Sequence, residues 1–391
     1  MKYAREQLKD LLRGYDQVLS KPELEMKLER GQPLRIKLGV DPSSPDIHLG
    51  HTVVLRKLRQ FQDLGHQAIL IIGDFTALVG DPTGKKKTRP QLTPAEVEAN
   101  AATYIAQVGR VLNMEKVEIV RNSAWLKTIP FYEFIKLASK LTVAQMLERD
   151  DFSKRMKAEE PVYLHEVLYL VMQAYDSVMV GADVELGGSD QLFNLMVGRD
   201  LMKSVGQEPQ VAFTMPLLVG LGSSEKMSKS LQNHIGVLED PLEMYSKVMS
   251  LPDDTMREWY NLLTTLSPDE IERLLTKVHP KMAKDRLARE IVNSFNPGKA
   301  DEAASEWERK FTKREVVDAE ELSTPAQTGI VDLVMRTKIP PSKGEAKRLI
   351  DQGSVELDGK KQTDITAMLS VESGMFLKVG KKKSYFKLLV K

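Results

Sequence analysis

Two short segments, far apart in the chain, carry side chains suited to binding phosphate. Residues 46–51 read Asp-Ile-His-Leu-Gly-His, and residues 226–230 read Lys-Met-Ser-Lys-Ser. The apolar residues after His51 recur at helical spacing as far as Gly65, which predicts a helix that begins near His48. The first turn of a helix offers unpaired N–H groups and positive dipole, so two imidazoles there could both donate hydrogen bonds to one anion. Each segment by itself also fits a plainer interpretation, a capping pair of histidines and a solvated surface loop of lysines.

A third group of polar side chains is predicted to share one face of a helix. In the segment 162–176, Tyr169, Gln173 and Asp176 stand at i, i+4 and i+7 among apolar residues. Such groups need polar partners if the helix is buried, and otherwise form a surface stripe. Further along, Gly-Gly-Ser-Asp-Gln at 187–191 follows a strand-like stretch. Its glycines would let the chain approach a ligand closely, and its aspartate could bind both hydroxyls of a ribose.

The elements that must position these residues are predicted from the hydrophobic pattern. Arg35–Val40 reads as a buried strand, the helix near His48 follows it, and the apolar run at 66–74 reads as a second central strand. Strand, helix and strand at this spacing form a βαβ unit, so a nucleotide should bind at the carboxyl edge of the strands. After the second strand, a Gly- and Pro-rich loop at 80–90 carries four basic residues in five positions. That loop suits either solvated surface or closure over a triphosphate.

The composition limits the class of protein. The chain has 391 residues, enough for two or three domains, and the apolar and charged fractions of an ordinary globular protein. It has no cysteine, so neither a disulfide nor a thiolate metal site can form. No apolar stretch approaches the ~20 residues of a membrane-spanning helix. Residues 1–35 read as charged helix rather than as a signal peptide. We therefore expect a cytoplasmic protein with no membrane association.

The charge is distributed unevenly along the chain. The net charge is only +1, but residues 331–391 carry thirteen Lys and Arg against seven Asp and Glu. This C-terminal segment is therefore basic by six charges, and the rest of the chain carries −5. A basic module with an ordered apolar pattern, joined to a mildly acidic body, suits a polyanionic partner.

The H-x-G-H turn and the K-M-S-K-S loop together resemble the two signatures of the class I aminoacyl-tRNA synthetases. The Y-x-x-x-Q-x-x-D spacing at 169–176 is similar to the side-chain pocket of the bacterial-type tyrosyl-tRNA synthetases, and the resemblance covers nearly the whole chain. It implies an α/β fold: a Rossmann-like parallel-sheet catalytic domain over 1–230, with a helical insertion around 125–160. It also implies a small all-α anticodon-side domain over 231–325. A small α+β RNA-binding domain of the αL type, shared with a ribosomal protein, would follow over 331–391.

The resemblance also implies a reaction. A tyrosine carboxylate attacks the α-phosphorus of ATP, and the terminal ribose of tRNA(Tyr) then attacks the tyrosyl-adenylate. A carboxylate needs no general base, so the site has to supply preorganised positive charge around the phosphates. The catalytic groups implied are His48, His51, Lys226 and Lys229, with Lys85 and Arg89 on a mobile loop that steadies the pyrophosphate. The ATP contacts implied are Gly39, Asp41, His48, Gly50, His51, Asp190, Lys226 and Lys229. ATP would enter as its Mg²⁺ complex, with no tightly bound cofactor and no separate metal site.

The pocket for the amino acid decides the substrate within this family. The contacts implied are Lys37, Asp81, Tyr169, Gln173, Asp176 and Gln191. In similar synthetases the residues that match Asp81 and the helical Tyr and Gln face the amino end, and Gln191 would bind the carboxylate. Asp176 would accept the phenolic O–H, which explains rejection of phenylalanine because an unpaired buried acceptor is costly. Lys37 stands where many relatives have a second tyrosine, so its ammonium either donates to the phenol or points away. We also expect a further polar group to complete the pocket.

The resemblance implies partners as well. They are L-tyrosine, ATP, tRNA(Tyr) and a second copy of the chain, because the family is dimeric and the insertion meets the partner subunit. In the C-terminal segment Lys343, Lys347 and Arg348 fall at i, i+4 and i+5 and would meet RNA phosphates. The segment 381–387 adds lysines and aromatic rings suited to a single-stranded loop. Residues 322–326 read as a linker ahead of this module.

Three alternatives remain. A tryptophanyl-tRNA synthetase keeps the enzyme class, but the polar stripe on the helix and the RNA-binding tail disfavour it. A non-catalytic RNA-binding paralogue is disfavoured because both signatures are intact. A small nucleotidyltransferase with the same H-x-G-H turn would need neither the C-terminal half nor a tRNA.

Overall fold

The computed structural model describes residues 3–81, 92–222, 225–312, 319–380 and 384–391. The chain divides into two compact units, residues 1–301 and residues 302–391. The first unit contains the central sheet and also the helices that follow the second signature segment. The division into three functional domains at 230/231 and near 325–331 stays a prediction.

The first unit alternates helices and strands in the order expected of an α/β fold. Its helices are α1 Ala4–Leu11, α2 Lys21–Glu29, α3 Leu49–Asp63, α4 Thr76–Val79, α5 Pro94–Val108, α6 Ser123–Leu126, α7 Phe131–Ala138, α8 Val143–Leu147, α9 Asp150–Lys157, α10 Leu164–Val180, α11 Leu192–Ser204, α12 Pro241–Met249, α13 Met256–Leu263, α14 Pro268–Lys277 and α15 Pro280–Phe295; α16 Ala300–Trp307 begins at its end. Its strands are β1 Gln17–Leu19, β2 Arg35–Val40, β3 Gln67–Ile72, β4 Val117–Arg121, β5 Val184–Gly188 and β6 Val211–Met215.

The central sheet has the strand order β1-β6-β5-β2-β3-β4, and all pairs are parallel except β1 with β6. The strand β3 is buried on both faces, as its unbroken apolar run predicts. The predicted βαβ unit is confirmed as β2, α3 and β3. The carboxyl ends of the five parallel strands meet at one edge, where a nucleotide site is expected. The edge strand β1 was not expected in a segment predicted to be helical, because three residues show no period of their own.

The second unit is α+β. Its elements are β7 Glu320–Thr324, β8 Gln327–Gly329, α17 Ile330–Arg336, α18 Lys343–Asp351, β9 Val355–Leu357, β10 Lys360–Gln362, β11 Met368–Ser370, β12 Phe376–Val379 and β13 Ser384–Val390. Five strands form a sheet in the order β10-β9-β12-β13-β7, and β11 pairs with β8. A turn through Asp358 and Gly359, both with positive φ, joins β9 to β10, as the Asp-Gly pair predicts.

Two local predictions in this unit are wrong. Residues 322–326 do not form a free linker, because β7 pairs in parallel with β13 and Leu322 packs against the core of the unit. The part of 381–387 that the structure describes, Ser384 onwards, is a strand, and Phe386 is buried in that core rather than presented to RNA. Among the described residues, no helix is both long and apolar enough to cross a membrane.

Candidate active site

The two signature histidines cap the helix that follows the first βα turn. The Nδ1 atom of His48 accepts the backbone N–H of Gly50 at 3.2 Å, and Nδ1 of His51 accepts the N–H of His48 at 3.2 Å. Both Nδ1 atoms are acceptors, so in the neutral rings both Nε2 atoms carry hydrogen. Burial and the neighbouring His51 lower the pKa of His48 to about 2, and desolvation by the surrounding protein and Lys229 lower that of His51 to about 4. The capping interpretation is confirmed. Capping leaves two neutral N–H donors, and their use in binding phosphate stays a prediction.

Gly50 lets the second signature segment lie against the start of α3. A Cβ atom at Gly50 would lie 3.0 Å from the ring of His48 and 3.5 Å from Cβ of Met227. The backbone ties the segments together as well, because the N–H of Leu49 donates to the carbonyl of Ile235 at 2.9 Å. The missing side chain at Gly50 therefore allows the two signature segments to lie close together.

The two signature lysines both reach across to residues of the cleft. Lys229 Nζ lies 3.0 Å from Ser44 Oγ and 3.3 Å from Asp46 Oδ2, both in the turn before α3. Lys226 Nζ lies 2.8 Å from Asp190 Oδ2. The sequence predicts that Asp190 binds the ribose hydroxyls of ATP, so a bound ribose would replace Lys226 at this carboxylate.

The carboxylate of Asp41 stands at the carboxyl end of β2 and is held from two sides. The hydroxyl of Thr76 donates to its Oδ1 at 2.7 Å, and the phenol of Tyr169 donates to its Oδ2 at 2.9 Å. A Cβ atom at Gly73 would lie 2.0 Å from that Oδ1, so a side chain at 73 would displace the carboxylate. Burial and the charge of Asp81 raise the pKa of Asp41 to about 7. The family resemblance implies that Asp41 contacts ATP. The hydrogen bond from Tyr169 also connects Asp41 to α10, the helix of the amino-acid pocket.

Asp176 is the most enclosed carboxylate of the pocket, with only 4% of its surface exposed. The indole N–H of Trp125 donates to its Oδ1 at 2.8 Å, and the amide of Asn122 donates to its Oδ2 at 3.2 Å. Burial raises the pKa of Asp176 to about 6, against the opposing charge of Lys37. Asn122 and Trp125 lie just after β4, and no role was predicted for them from the sequence. The surface-stripe interpretation of the helix is therefore wrong.

The ammonium of Lys37 is bound by buried groups of β5 and α10. Its Nζ lies 2.8 Å from Glu185 Oε1 and donates to Ser177 Oγ at 2.6 Å and to the carbonyl of Gln173 at 3.1 Å. The side chains of Lys37 and Glu185 are 0% and 2% exposed. Of the two alternatives for this lysine, the structure shows the second.

A chain of amides joins the remaining predicted tyrosine contacts. The side-chain N–H₂ of Asn194 donates to Oε1 of Gln173 at 3.0 Å and to Oε1 of Gln191 at 2.9 Å. The amide of Gln191 in turn donates to Asp81 Oδ2 at 3.2 Å. Asn194 is buried on α11, and no sequence signal separated it from the apolar residues around it.

The structure brings most of the predicted site residues to one sheet edge. Those that lie at this edge or in the segments joined to it are Gly39, Asp41, His48, Gly50, His51, Asp81, Tyr169, Gln173, Asp176, Asp190, Gln191, Lys226 and Lys229. Lys85 and Arg89 lie outside the described residues. Within the described ranges, no group of three or more metal-binding side chains is placed to hold a metal ion. The glycines at 187 and 188 make room for the side chains of Gln191 and Asp190, since Cβ atoms there would lie 3.0 and 2.8 Å from them.

Two family models match the chain. A family model described as tRNA synthetases class I (W and Y) matches residues 29–313, and one described as a tyrosine–tRNA ligase SYY-like C-terminal domain matches residues 310–387. The parallel sheet, the paired signatures at its carboxyl edge and the first of these matches define a class I aminoacyl-tRNA synthetase.

Similar proteins specify the family further. The tyrosine–tRNA ligase of Aquifex aeolicus is 47% identical over 97% of this chain and 98% of its own length. That of Moorella thermoacetica is 49% identical over 96% of this chain and 94% of its own length. The chain belongs to the tyrosyl-tRNA synthetase family.

Solved structures share the fold. The mitochondrial tyrosyl-tRNA synthetase of Aspergillus nidulans superposes with a TM-score of 0.66 at 23% identity, over 80% of this chain and 95% of that one. The tyrosyl-tRNA synthetase of Archaeoglobus fulgidus, crystallised with L-tyrosine, has a TM-score of 0.63 at 22% identity, over 77% of this chain and 99% of that one.

Proposed function

We propose that this chain is a cytoplasmic enzyme that activates L-tyrosine with ATP and transfers the tyrosine to the 3′ end of tRNA(Tyr). The observation that carries the proposal is that two groups of side chains meet at the carboxyl edge of the central sheet. This edge combines a buried carboxylate held by two N–H donors, Asp176, with the neutral imidazoles and lysines of the two signatures. The first group suits a phenolic O–H, and the second suits a triphosphate.

The first step needs charge stabilisation rather than a base. The tyrosine carboxylate attacks the α-phosphorus, the bond from that phosphorus to the bridging oxygen breaks, and pyrophosphate leaves with its Mg²⁺. In this proposal, the Nε2–H groups of His48 and His51 and the ammonium of Lys229 stabilise the negative charge that develops on the phosphates. In the second step, the terminal ribose hydroxyl of the tRNA attacks the carbonyl of the adenylate and AMP leaves.

The pocket accounts for the choice of amino acid. Asp176 has both oxygens engaged by N–H donors, so it offers its remaining lone pairs to a phenolic O–H. At the other end, the carboxylate of Asp81 and the side chains of Tyr169 and Gln173 would receive the substrate ammonium and Gln191 its carboxylate. A substrate without the hydroxyl would leave a buried charge unpaired.

The decisive experiment is the exchange of labelled pyrophosphate into ATP, with tyrosine, phenylalanine or tryptophan present. Exchange with tyrosine alone, followed by charging of tRNA(Tyr), supports the proposal. Exchange with tryptophan would change the substrate. Failure of exchange with all three amino acids, in folded protein with Mg²⁺, would favour a non-catalytic RNA-binding role.

We also propose that the enzyme is a homodimer, because apolar side chains are exposed on the helical insertion. Phe131 on α7 and Leu164 at the start of α10 are 79% and 72% exposed. The other exposed apolar residues between positions 131 and 164 are Tyr132, Ile135, Val143, Met156 and Tyr163. Large exposed apolar patches on soluble proteins mark interaction sites, and a second copy of the chain is the commonest partner.

Phe131→Asp combined with Leu164→Asp is expected to turn the dimer into a monomer, because the charges would be buried without partners at the interface. Sedimentation velocity measures the change. The matched control is Leu238→Asp combined with Met282→Asp, two residues that are 57% and 62% exposed outside the insertion. A monomeric parent protein, or a dimer that survives the double substitution, would contradict the proposed interface.

The second unit is proposed to bind the tRNA through α18. Lys343, Lys347 and Arg348 are all exposed on this helix, which Ser342 caps at its start. Lys343 lies 3.2 Å from Asp332, and Arg348 lies 2.8 Å from Glu345, so part of this charge is locally compensated. Exposed pairs of this kind are weak and give way to a phosphate.

Replacing Lys343, Lys347 and Arg348 with glutamine is expected to lower the slope of log affinity for tRNA against log salt by about two to three, because fewer counterions are released. Filter binding over a salt series measures this slope. As a control of equal charge, Arg5, Lys9 and Lys21 on the first helices are replaced with glutamine. An unchanged slope in the α18 variant, or an equal loss in the control, would remove α18 from the interface.

A further inference from the structure

A buried ion pair on the central sheet contacts α10, the helix that carries Asp176. Lys37 on β2 and Glu185 on β5 are paired at 2.8 Å, and both side chains are almost fully buried. Their strands are neighbours in the sheet, with Lys37 opposite Glu185 in register. Taking two charges out of water costs more than a well-packed apolar pair of the same size, so stability alone does not explain the pair.

The ammonium of Lys37 donates hydrogen bonds to the turn of α10 that carries Asp176, the proposed phenol-binding carboxylate. Besides Glu185, it donates to the carbonyl of Gln173 and to the hydroxyl of Ser177, which stand on either side of Asp176 in the helix. The carboxylate of Glu185 is held by two further hydrogen bonds. The hydroxyl of Ser177 donates to its Oε2 at 3.1 Å, and the amide of Gln210 donates to the same oxygen.

The pocket itself requires Asp176 to be ionised. Both of its oxygens accept N–H donors, from Trp125 and Asn122, which favours the charged form, and an added proton would occupy a lone pair that the phenolic O–H needs. The charged groups that act on it from other elements are Lys37 on β2, which favours ionisation, and Glu185 on β5, which opposes it. Asp41, at the end of β2, also repels Asp176, but it is held by Thr76 and Tyr169 and has no contact with the ion pair.

We propose that Lys37 and Glu185 form a positioning pair that holds the Asp176 turn in place and sets the pH range in which Asp176 accepts the substrate phenol. The pair touches neither tyrosine nor ATP. It acts through the carboxylate between its two anchor points, and it fills the position at which many relatives contact the phenol directly. This inference rests on the proposed use of tyrosine as the substrate.

Two substitutions are expected to shift the pH dependence of tyrosine binding in opposite directions. Tyrosine affinity is lost as the pH falls through the pKa of Asp176, because only the carboxylate suits the pocket. In Lys37→Met this pKa rises, so affinity is lost at higher pH. In Glu185→Gln the ammonium acts on Asp176 without its counterion, the pKa falls, and binding persists to lower pH. We expect each shift to be about one pH unit, which is tenfold in affinity at a pH below the transition.

Two quantities are measured over a pH series. The first is the affinity for tyrosine, detected by tryptophan fluorescence, to which Trp125 in the pocket contributes. The second is the KM for tyrosine in pyrophosphate exchange. The KM for ATP should stay unchanged in both variants. Lys27→Met is the matched control. The side chain of Lys27 is 2% exposed, nearly as buried as that of Lys37, and its Nζ pairs with Asp183 Oδ1 at a distance of 3.0 Å. This pair lies outside the pocket. Lys27→Met should lower the melting temperature without shifting the pH profile.

Shifts in the same direction for both variants, or no shift in either, would overturn the proposal, because a purely structural role cannot reverse sign between them. If Lys37→Met fails to fold, the acid shift of Glu185→Gln decides alone. Opposite shifts in binding, without any exchange activity in the parent protein, would contradict the proposed reaction but not the positioning pair. A parent protein that does not bind tyrosine would overturn both.

Discussion

Replacing Asp176 with asparagine is expected to raise the KM for tyrosine by about 10²-fold, while the KM for ATP stays nearly unchanged. A hydrogen bond to a charged group contributes about 1.5–3 kcal/mol, and the substitution also disturbs the donors around it. Trp125 and Asn122 both donate to the carboxylate. An amide at this position would turn its own N–H₂ group towards one of them, so one donor is left unpaired in addition to the weakened bond to the phenol.

The same substitution should remove most of the discrimination against phenylalanine. We expect the parent site to reject phenylalanine, because the buried carboxylate of Asp176 would lack the phenolic O–H as a donor. Sites built in this way discriminate by roughly 10⁴–10⁵-fold, a range for which tyrosyl-tRNA synthetases are themselves the standard example. With a neutral amide at position 176 that penalty disappears, and tyrosine loses its advantage at the same time.

Pyrophosphate exchange with each amino acid measures both effects. Asp63→Asn is a suitable control, because it removes a carboxylate that pairs with Arg59 at the end of α3, outside the pocket. It should leave the ratio of kcat/KM for tyrosine to that for phenylalanine unchanged. An asparagine variant that still excludes phenylalanine would show that the hydroxyl is recognised elsewhere.

The parts of the fold that could be predicted are those encoded in contiguous sequence. The βαβ unit follows from a strand, a capped helix and a second apolar run within forty residues of chain, and the structure has it at the predicted place. The capping role of His48 and His51 is likewise local. The short strands β1 and β7 could not be predicted, because segments of three and five residues obtain their conformation from partners far along the chain.

The supporting residues of the site are hidden from the sequence for the same reason. Lys37 and Gln173 are 136 positions apart, and Trp125 is 51 positions from the carboxylate that it binds. A lysine in a strand gives no sign of whether it faces a ligand or a buried glutamate. The predicted residues stand in short motifs with a recognisable spacing, whereas the residues that orient them are brought in by packing from distant parts of the chain.

Replacing Lys229 with methionine is expected to slow adenylate formation by about 10²–10³-fold at saturating substrates, with little change in the KM for tyrosine. Removing one preorganised donor from a site of developing negative charge typically has an effect of this size. The ammonium lies at the turn before α3, within reach of Ser44 and Asp46, on the same side as the two imidazoles. Its contribution should grow as charge moves onto the departing pyrophosphate.

The signature segment should keep its shape without this ammonium, because other groups hold it. The N–H of Met227 donates to the carbonyl of Leu218 at 2.7 Å, and that of Ser228 donates to the side chain of Asn233 at 2.7 Å. Single-turnover measurement of adenylate formation isolates the step, and Lys284→Met, which removes an ion-paired lysine of α15, controls for charge and burial. A fall in rate matched by a rise in the KM for tyrosine, or by a lower melting temperature, would mean that Lys229 organises the cleft. A fall in rate alone means that it acts on the transition state.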